Sequence, residues 1–181
     1  MVITIQGERQ IKCQLSDFSL YVDSAREGSG DVSIKTATEL PIKNAPGSII
    51  QGPGEYEMAG VKIRGISLPK ESTAKFLRTA YIAHMDEINL CFLGELKSKP
   101  DDSVLDKLGE VDILFVGAGA NATEAKKIEE IIKTIEPKLI VSLGNPKYLA
   151  DELGLKPEKS DKLTIKKKDL SEATLKIIWL T

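Results

Sequence analysis

Two mostly apolar runs, at residues 111–116 and 139–143, broken only by Asp112 and Ser142, flank a stretch in which Ala125, Ile128, Ile131, Ile132 and Ile135 fall at helical spacing. Lys126, Lys127, Glu129, Glu130 and Lys133 occupy the opposite face, so the pattern predicts an amphipathic helix over 123–135, ended by Pro137. Both runs need covering, and the helix between them carries the apolar stripe that can do it. Strand, helix and strand in this order favour a sheet packed in layers against helices.

The first half uses a different period. Residues 1–5, 10–15 and 18–22 alternate or cluster β-formers, with Gly7 and Ser16-Asp17 as turns, which describes a β-meander. After a polar break at Glu27-Gly28-Ser29-Gly30, short strands are expected at 32–34, 48–50, 55–58 and 61–67. Pro46-Gly47 and Gly52-Pro53-Gly54 mark the turns among them. Residues 68–75 are expected as a polar loop, and 80–85 and 89–93 as a hairpin turning at Asp86-Glu87. One or two helical turns at 103–108, a short helix at 148–153 closed by Gly154, and terminal strands at 163–166 and 175–179 complete the reading. Apolar residues at 41% and charged residues at 29% suit one globular domain spanning 1–181.

A formal net charge of -2 gives no reason to seek nucleic acid, and the cluster Lys166-Lys167-Lys168 is expected to be a solvated strand end. No stretch is long and apolar enough to suggest a membrane span, and residues 1–5 read as a first strand rather than an export signal. Cys13 and Cys91 belong to no C-x-x-C pair and are expected as buried, reduced hydrophobes, which fits a cytoplasmic protein.

Several phrases stand together in order: Ile3-Thr4-Ile5-Gln6-Gly7, Leu20-Tyr21-Val22-Asp23, Gly52-Pro53-Gly54-Glu55-Tyr56-Glu57, Gly60-Val61-Lys62-Ile63-Arg64-Gly65-Ile66, Leu93-Gly94-Glu95-Leu96 and Val111-Asp112-Ile113-Leu114-Phe115-Val116-Gly117. With Ile135-Glu136-Pro137-Lys138-Leu139-Ile140-Val141 they resemble the metallo-β-lactamase fold, in the branch of L-ascorbate-6-phosphate lactonases and related zinc-dependent hydrolases. The resemblance covers nearly the whole chain. It implies an α+β fold, a shortened αββα sandwich, with a metal site along one edge between the sheets.

At the metal site the chain departs from that family. The resemblance implies a His-x-His-x-Asp-His cluster, because catalytic zinc needs neutral imidazoles at fixed spacing and one open position for water. The matching region, Lys35-Thr36-Ala37-Thr38-Glu39-Leu40-Pro41-Ile42, has no histidine. The first-hairpin ligand corresponds to Gly7-Glu8, the late histidine to about Gly144-Asn145, and the bridging aspartate to Glu95. The sole histidine, His84, lies where the resemblance places no ligand. The expectation is a non-catalytic protein without cofactor that acts by binding or self-assembly, with a homo-oligomer as one form of partner. The alternative is a divergent hydrolase in which Glu8, Asp23, Glu39 and Glu95 hold a hard ion such as Mg²⁺ or Ca²⁺.

Three other patterns carry chemistry more weakly. Gly117-Ala118-Gly119-Ala120-Asn121-Ala122 resembles a dinucleotide loop, but no acid ends the next strand at Val141-Ser142-Leu143, which leaves at most a simple anion at the helix start. Glu55 and Glu57 share a face and could pair as acid and base, although the Gly-Pro-Gly turn beside them is sufficient reason for the motif. A serine nucleophile has no identifiable base among residues that include one histidine.

Overall fold

The computed structural model describes residues 1–7, 9–24, 32–43, 47–171 and 174–181. Glu8, the break at Glu27-Gly28-Ser29-Gly30 and Pro46 lie outside the described residues. Its strands are β1 (Val2–Gln6), β2 (Gln10–Leu15), β3 (Phe18–Val22), β4 (Val32–Ile34), β5 (Ala37–Glu39), β6 (Ile49–Ile50), β7 (Gly54–Met58), β8 (Val61–Ser67), β9 (Phe76–Met85) and β10 (Ile88–Phe92). Then follow α1 (Asp102–Leu105), β11 (Ile113–Gly117), α2 (Ala122–Ile135), β12 (Leu139–Leu143), α3 (Lys147–Leu153), β13 (Glu158–Ser160), β14 (Leu163–Thr164) and β15 (Lys176–Leu180).

One sheet runs β14-β1-β2-β3-β4-β6, and the other runs β13-β15-β12-β11-β10-β9-β8-β7 with β5 beside β9. The period-two strands of the first half send Ile3, Ile11, Cys13, Leu20 and Val22 into a core shared with Tyr81, Leu90, Phe92, Ile113, Phe115 and Val141 of the second sheet. The other face of that second sheet supplies Cys91, Leu114, Val116, Ile140 and Ile177 to a separate cluster with Val104, Leu108, Ala125, Ile131, Ile132 and Leu149. β11 and β12 are apolar on both faces, apart from the buried Ser142, because consecutive side chains enter two different cores. This is the layered α+β arrangement the sequence predicts.

The helix between them is one residue longer than its periodicity suggests. Asn121 accepts from Glu124 N at 3.0 Å as its N-cap, and Glu136 turns left-handed (φ 51°) before Pro137 stops the chain. β10, β11, β12 and β15 run parallel, so their carboxyl ends open on one rim.

Four expectations shift. β9 begins at Phe76 rather than 80 because β5, which the pattern did not show, pairs Ala37 with Arg78 and Glu39 with Phe76. The strand expected from 111 begins at Ile113, after Asp112 N donates to Asn89 O. The strand at 163–166 stops at Thr164, because Lys166 N donates to Asp169 Oδ2 at 2.9 Å and Lys167–Leu170 coil into a 3₁₀ turn. The lysine cluster is therefore a turn, and Lys167 Nζ reaches the buried Asp112 carboxylate at 2.8 Å. β13, a three-residue edge strand, has no apolar signature at all.

Candidate functional site

The carboxyl ends of parallel strands are where an open α/β sheet leaves a crevice for ligands. A cleft of about 1210 Å³ opens at this rim, between the loops after β10, β11 and β12, the β1–β2 turn and the end of β3. It brings together Arg9, Asp23, Thr36, Arg78, Glu95 and Asn145. Positions the resemblance assigns to metal ligands thus converge in space, even though their side chains have changed. Glu39 is exposed on β5 and does not line the cleft. Of the four acidic candidates, Asp23 and Glu95 meet there.

Each of these two acids already has a donor. Asp23, itself at positive φ (52°), accepts from Thr36 N at 2.7 Å and from Thr36 Oγ1 at 2.6 Å. Burial pushes its carboxyl above the usual range, opposed by the two Thr36 bonds and by the charges of Lys35 and Arg78. Glu95 forms an ion pair with Arg9 across the mouth of the cleft. Gly94 makes this packing feasible: its φ is +68°, and a Cβ there would lie 2.6 Å from Thr36 Oγ1. The loop that presents Glu95 therefore leans directly on the residue that holds Asp23.

This donor set does not fit catalytic zinc. His84 sits toward the other end of β9, six residues beyond Arg78 and so about 20 Å away along the strand. Its Nδ1 is 2.8 Å from Asn89 Oδ1. Burial holds the Cys13 and Cys91 thiols far above their usual range, so neither offers a thiolate. Among the described residues no group of three His, Cys, Asp or Glu side chains is placed to hold an ion.

The other candidates have structural employment. Ala120 N donates to Glu124 Oε2 at 2.9 Å and Glu124 N to Asn121 Oδ1 at 3.0 Å, so two amides at the helix start are engaged by the helix's own side chains. Glu55 and Glu57 are exposed on β7, opposite Arg64 and Lys62 in register, and lie outside the cleft. The Gly-Pro-Gly turn docks on Tyr81, whose hydroxyl accepts from Gly52 N at 2.9 Å and donates to Gly52 O at 3.1 Å.

Residues 32–143 match the model of the beta-lactamase superfamily domain, which is more than half of the chain. The chain belongs to the beta-lactamase superfamily. Its fold is similar to that of a Thermotoga maritima protein assigned to the Zn-dependent hydrolases of the metallo-beta-lactamase superfamily, with TM-score 0.77, 20% identity and 99% of each chain covered. The metallo-beta-lactamase fold protein YhfI from Bacillus subtilis gives TM-score 0.62 at 10% identity, covering 97% of this chain and 95% of that one. The metallo hydrolase Igni18 from Ignicoccus hospitalis gives TM-score 0.62 at 11% identity, covering 97% and 94%. At such identities the likeness concerns the fold. No curated protein matches the chain. Among the described residues no helix is long and apolar enough to cross a membrane.

Arg9, Thr36, Phe76, Arg78 and Tyr148 line the cleft without having been singled out from the sequence. Arg9 follows the Gly7-Glu8 turn directly, and Thr36 lies inside the region matching the family's histidine cluster. Those two could have been found by asking what replaced the ligands. Arg78 and Phe76 fall in a strand whose start has no alternation to mark it.

Proposed function

We propose that this chain is a non-catalytic member of the superfamily that acts by binding, using the cleft at the metal-site edge of the fold. One observation carries the reading. The positions that resemble metal ligands do converge, but the acids there are bonded to the chain's own donors, Asp23 to Thr36 and Glu95 to Arg9. Arg9 brings a cation to the carboxylate that would otherwise be free to hold a metal. An exposed pair of this kind contributes at most about 1 kcal/mol. Its weight here is therefore in the donor set it leaves, since losing even one ligand or its orienting partner weakens metal binding substantially.

Elemental analysis of protein grown with zinc, iron and manganese tests this. The expected result is well under one equivalent of any transition metal, with no hydrolysis of lactones or phosphoesters. One equivalent of tightly held metal, lost together with hydrolytic activity in Glu95→Gln, would establish the divergent-hydrolase alternative instead.

Self-association is a second reading, favoured by the exposure of Ile42 and Phe76 near the β5–β9 corner. Sedimentation equilibrium checks it, with a dimer that Phe76→Ser weakens as the supporting outcome. A strict monomer at high concentration removes it.

A further inference from the structure

The charges of the cleft are unevenly committed. The four acids that line it among the described residues have local donors: Asp23 has Thr36, Glu71 has Lys97 N, Ser98 N and Ser98 Oγ, Glu95 has Arg9, and Glu124 has Ala120 N. Among the cations lining it, Arg9 pairs with Glu95, Lys127 Nζ donates to Lys97 O at 3.2 Å and Lys147 lies over the Tyr148 ring, and one differs from these. Arg78 is half-buried, lines the cleft and lies 6.0 Å from the Phe76 ring, and its charge bears on Asp23, yet its guanidinium makes no hydrogen bond or ion pair among the described residues. A guanidinium presents a planar fork of donors that matches a carboxylate or phosphate, and leaving it unsatisfied inside a concave wall has a cost that an anion removes.

The remaining surface is apolar. Of the three large hydrophobic side chains exposed among the described residues, Phe76 and Tyr148 line this cleft, and Leu96 and Ile128 line it as well. A volume of about 1210 Å³ is far more than one inorganic ion needs and exceeds the roughly 300–1,000 Å³ usual for small-molecule pockets. Ala120 N at the helix start is bonded to Glu124, Arg9 is paired with Glu95, and Lys97, Lys127 and Lys147 are exposed, which leaves the half-buried Arg78 as the seat for a charged group.

We propose that the cleft binds an organic anion with an apolar body, its carboxylate or phosphate held by Arg78 and its body lying against Phe76 and Tyr148. The proposal rests on the binding-module reading above and adds the chemical class of the ligand.

Isothermal titration with three probes tests it: 2-naphthoate, 2-naphthylmethylammonium with the same ring and the opposite charge, and inorganic phosphate as a head group alone. Naphthoate is expected to bind at least about tenfold more tightly than either of the others, the difference a charge-assisted bond plus buried ring area supplies. Arg78→Gln is expected to weaken naphthoate about tenfold or more, Arg78→Lys less, and Phe76→Ala a few-fold, whereas Lys62→Gln on the exposed edge of β8 leaves it unchanged. The Phe76 variant preserves the test if Arg78→Gln proves unstable. Equal binding of the ammonium probe, naphthoate binding indifferent to both Arg78 and Phe76, or no naphthoate binding would overturn the proposal. Tightly bound metal in the elemental analysis would sink the binding-module reading by a separate measurement, so the two failures are distinguishable.

Discussion

Asp112 is fully buried and still charged, which at the scale of one residue demands an account. Burial alone would raise its carboxyl, but the Asn89 N–H at 2.9 Å, Lys138 Nζ at 2.7 Å and Lys167 Nζ at 2.8 Å outweigh it and hold the group below its usual range. These contacts tie β10, β11, the end of the α2 connection and the 167–170 turn at one point. A carboxylate whose folded value is depressed adds stability that is present above its unfolded value near 3.9 and is lost as pH falls through the folded value. Asp112→Asn is therefore expected to cost about 3 kcal/mol at pH 7. The gap from wild type should stay flat down to about pH 4 and close below it, as read from chemical denaturation at a series of pH values. Gly94 poses the opposite problem, since its surroundings leave no room for a side chain. Gly94→Ala is expected to destabilise by about 1–3 kcal/mol through strained backbone and displacement of Thr36. It should also weaken naphthoate binding, because Thr36 and Asp23 form the wall beside Arg78.

Among the elements, α2 is the one whose sequence states its structure most directly. Ile131 and Ile132 are each about 2% exposed and face the second core, so Ile131→Ala is expected to cost about 2–4 kcal/mol by cavity formation. Asn121→Ala removes the cap and is expected to cost about 1 kcal/mol, with both measured by urea denaturation at constant m-value. The same contrast explains what could be read in advance. A helix of four turns with one apolar stripe, and strands buried on both faces, leave signals that many residues repeat. β5 and β13 are three residues each and held by partners far along the chain, so no local pattern could announce them. The site shows a similar division. That the chain has a single histidine, and a carboxylate at Glu95 where the resemblance implies an aspartate, is visible in the residue list alone. That Thr36 is bonded to Asp23, thirteen positions away, depends on β3 and β4 lying side by side, and that Arg9 crosses to Glu95 depends on how two sheets meet. Glu39 was a candidate from the sequence beside Asp23, yet it is exposed on β5 and does not line the cleft, although its register partner Phe76 does.

For the molecule as a whole, the decisive feature is that the two sheets do not have separate interiors. Leu20 and Val22 of the first sheet share one buried cluster with Phe92, Phe115 and Val141 of the second, and the Phe92 and Phe115 rings stack 4.5 Å apart within it. Loosening either sheet would expose the apolar face of the other, so neither is expected to melt alone. The chain's single tryptophan, Trp179 on β15, reports on the second sheet, whereas Leu20 belongs to the first. Leu20→Ala, by opening a cavity in the shared core, is expected to cost about 2–5 kcal/mol and lower the melting temperature by about 5–15 °C. If residues 1–181 form one cooperative domain, Trp179 fluorescence and far-ultraviolet circular dichroism will register the same shift with coincident transitions. A tryptophan transition left in place while part of the dichroism signal melts early would mean two units that touch without sharing their stability, and the cleft between them would then be a hinge rather than a fixed site.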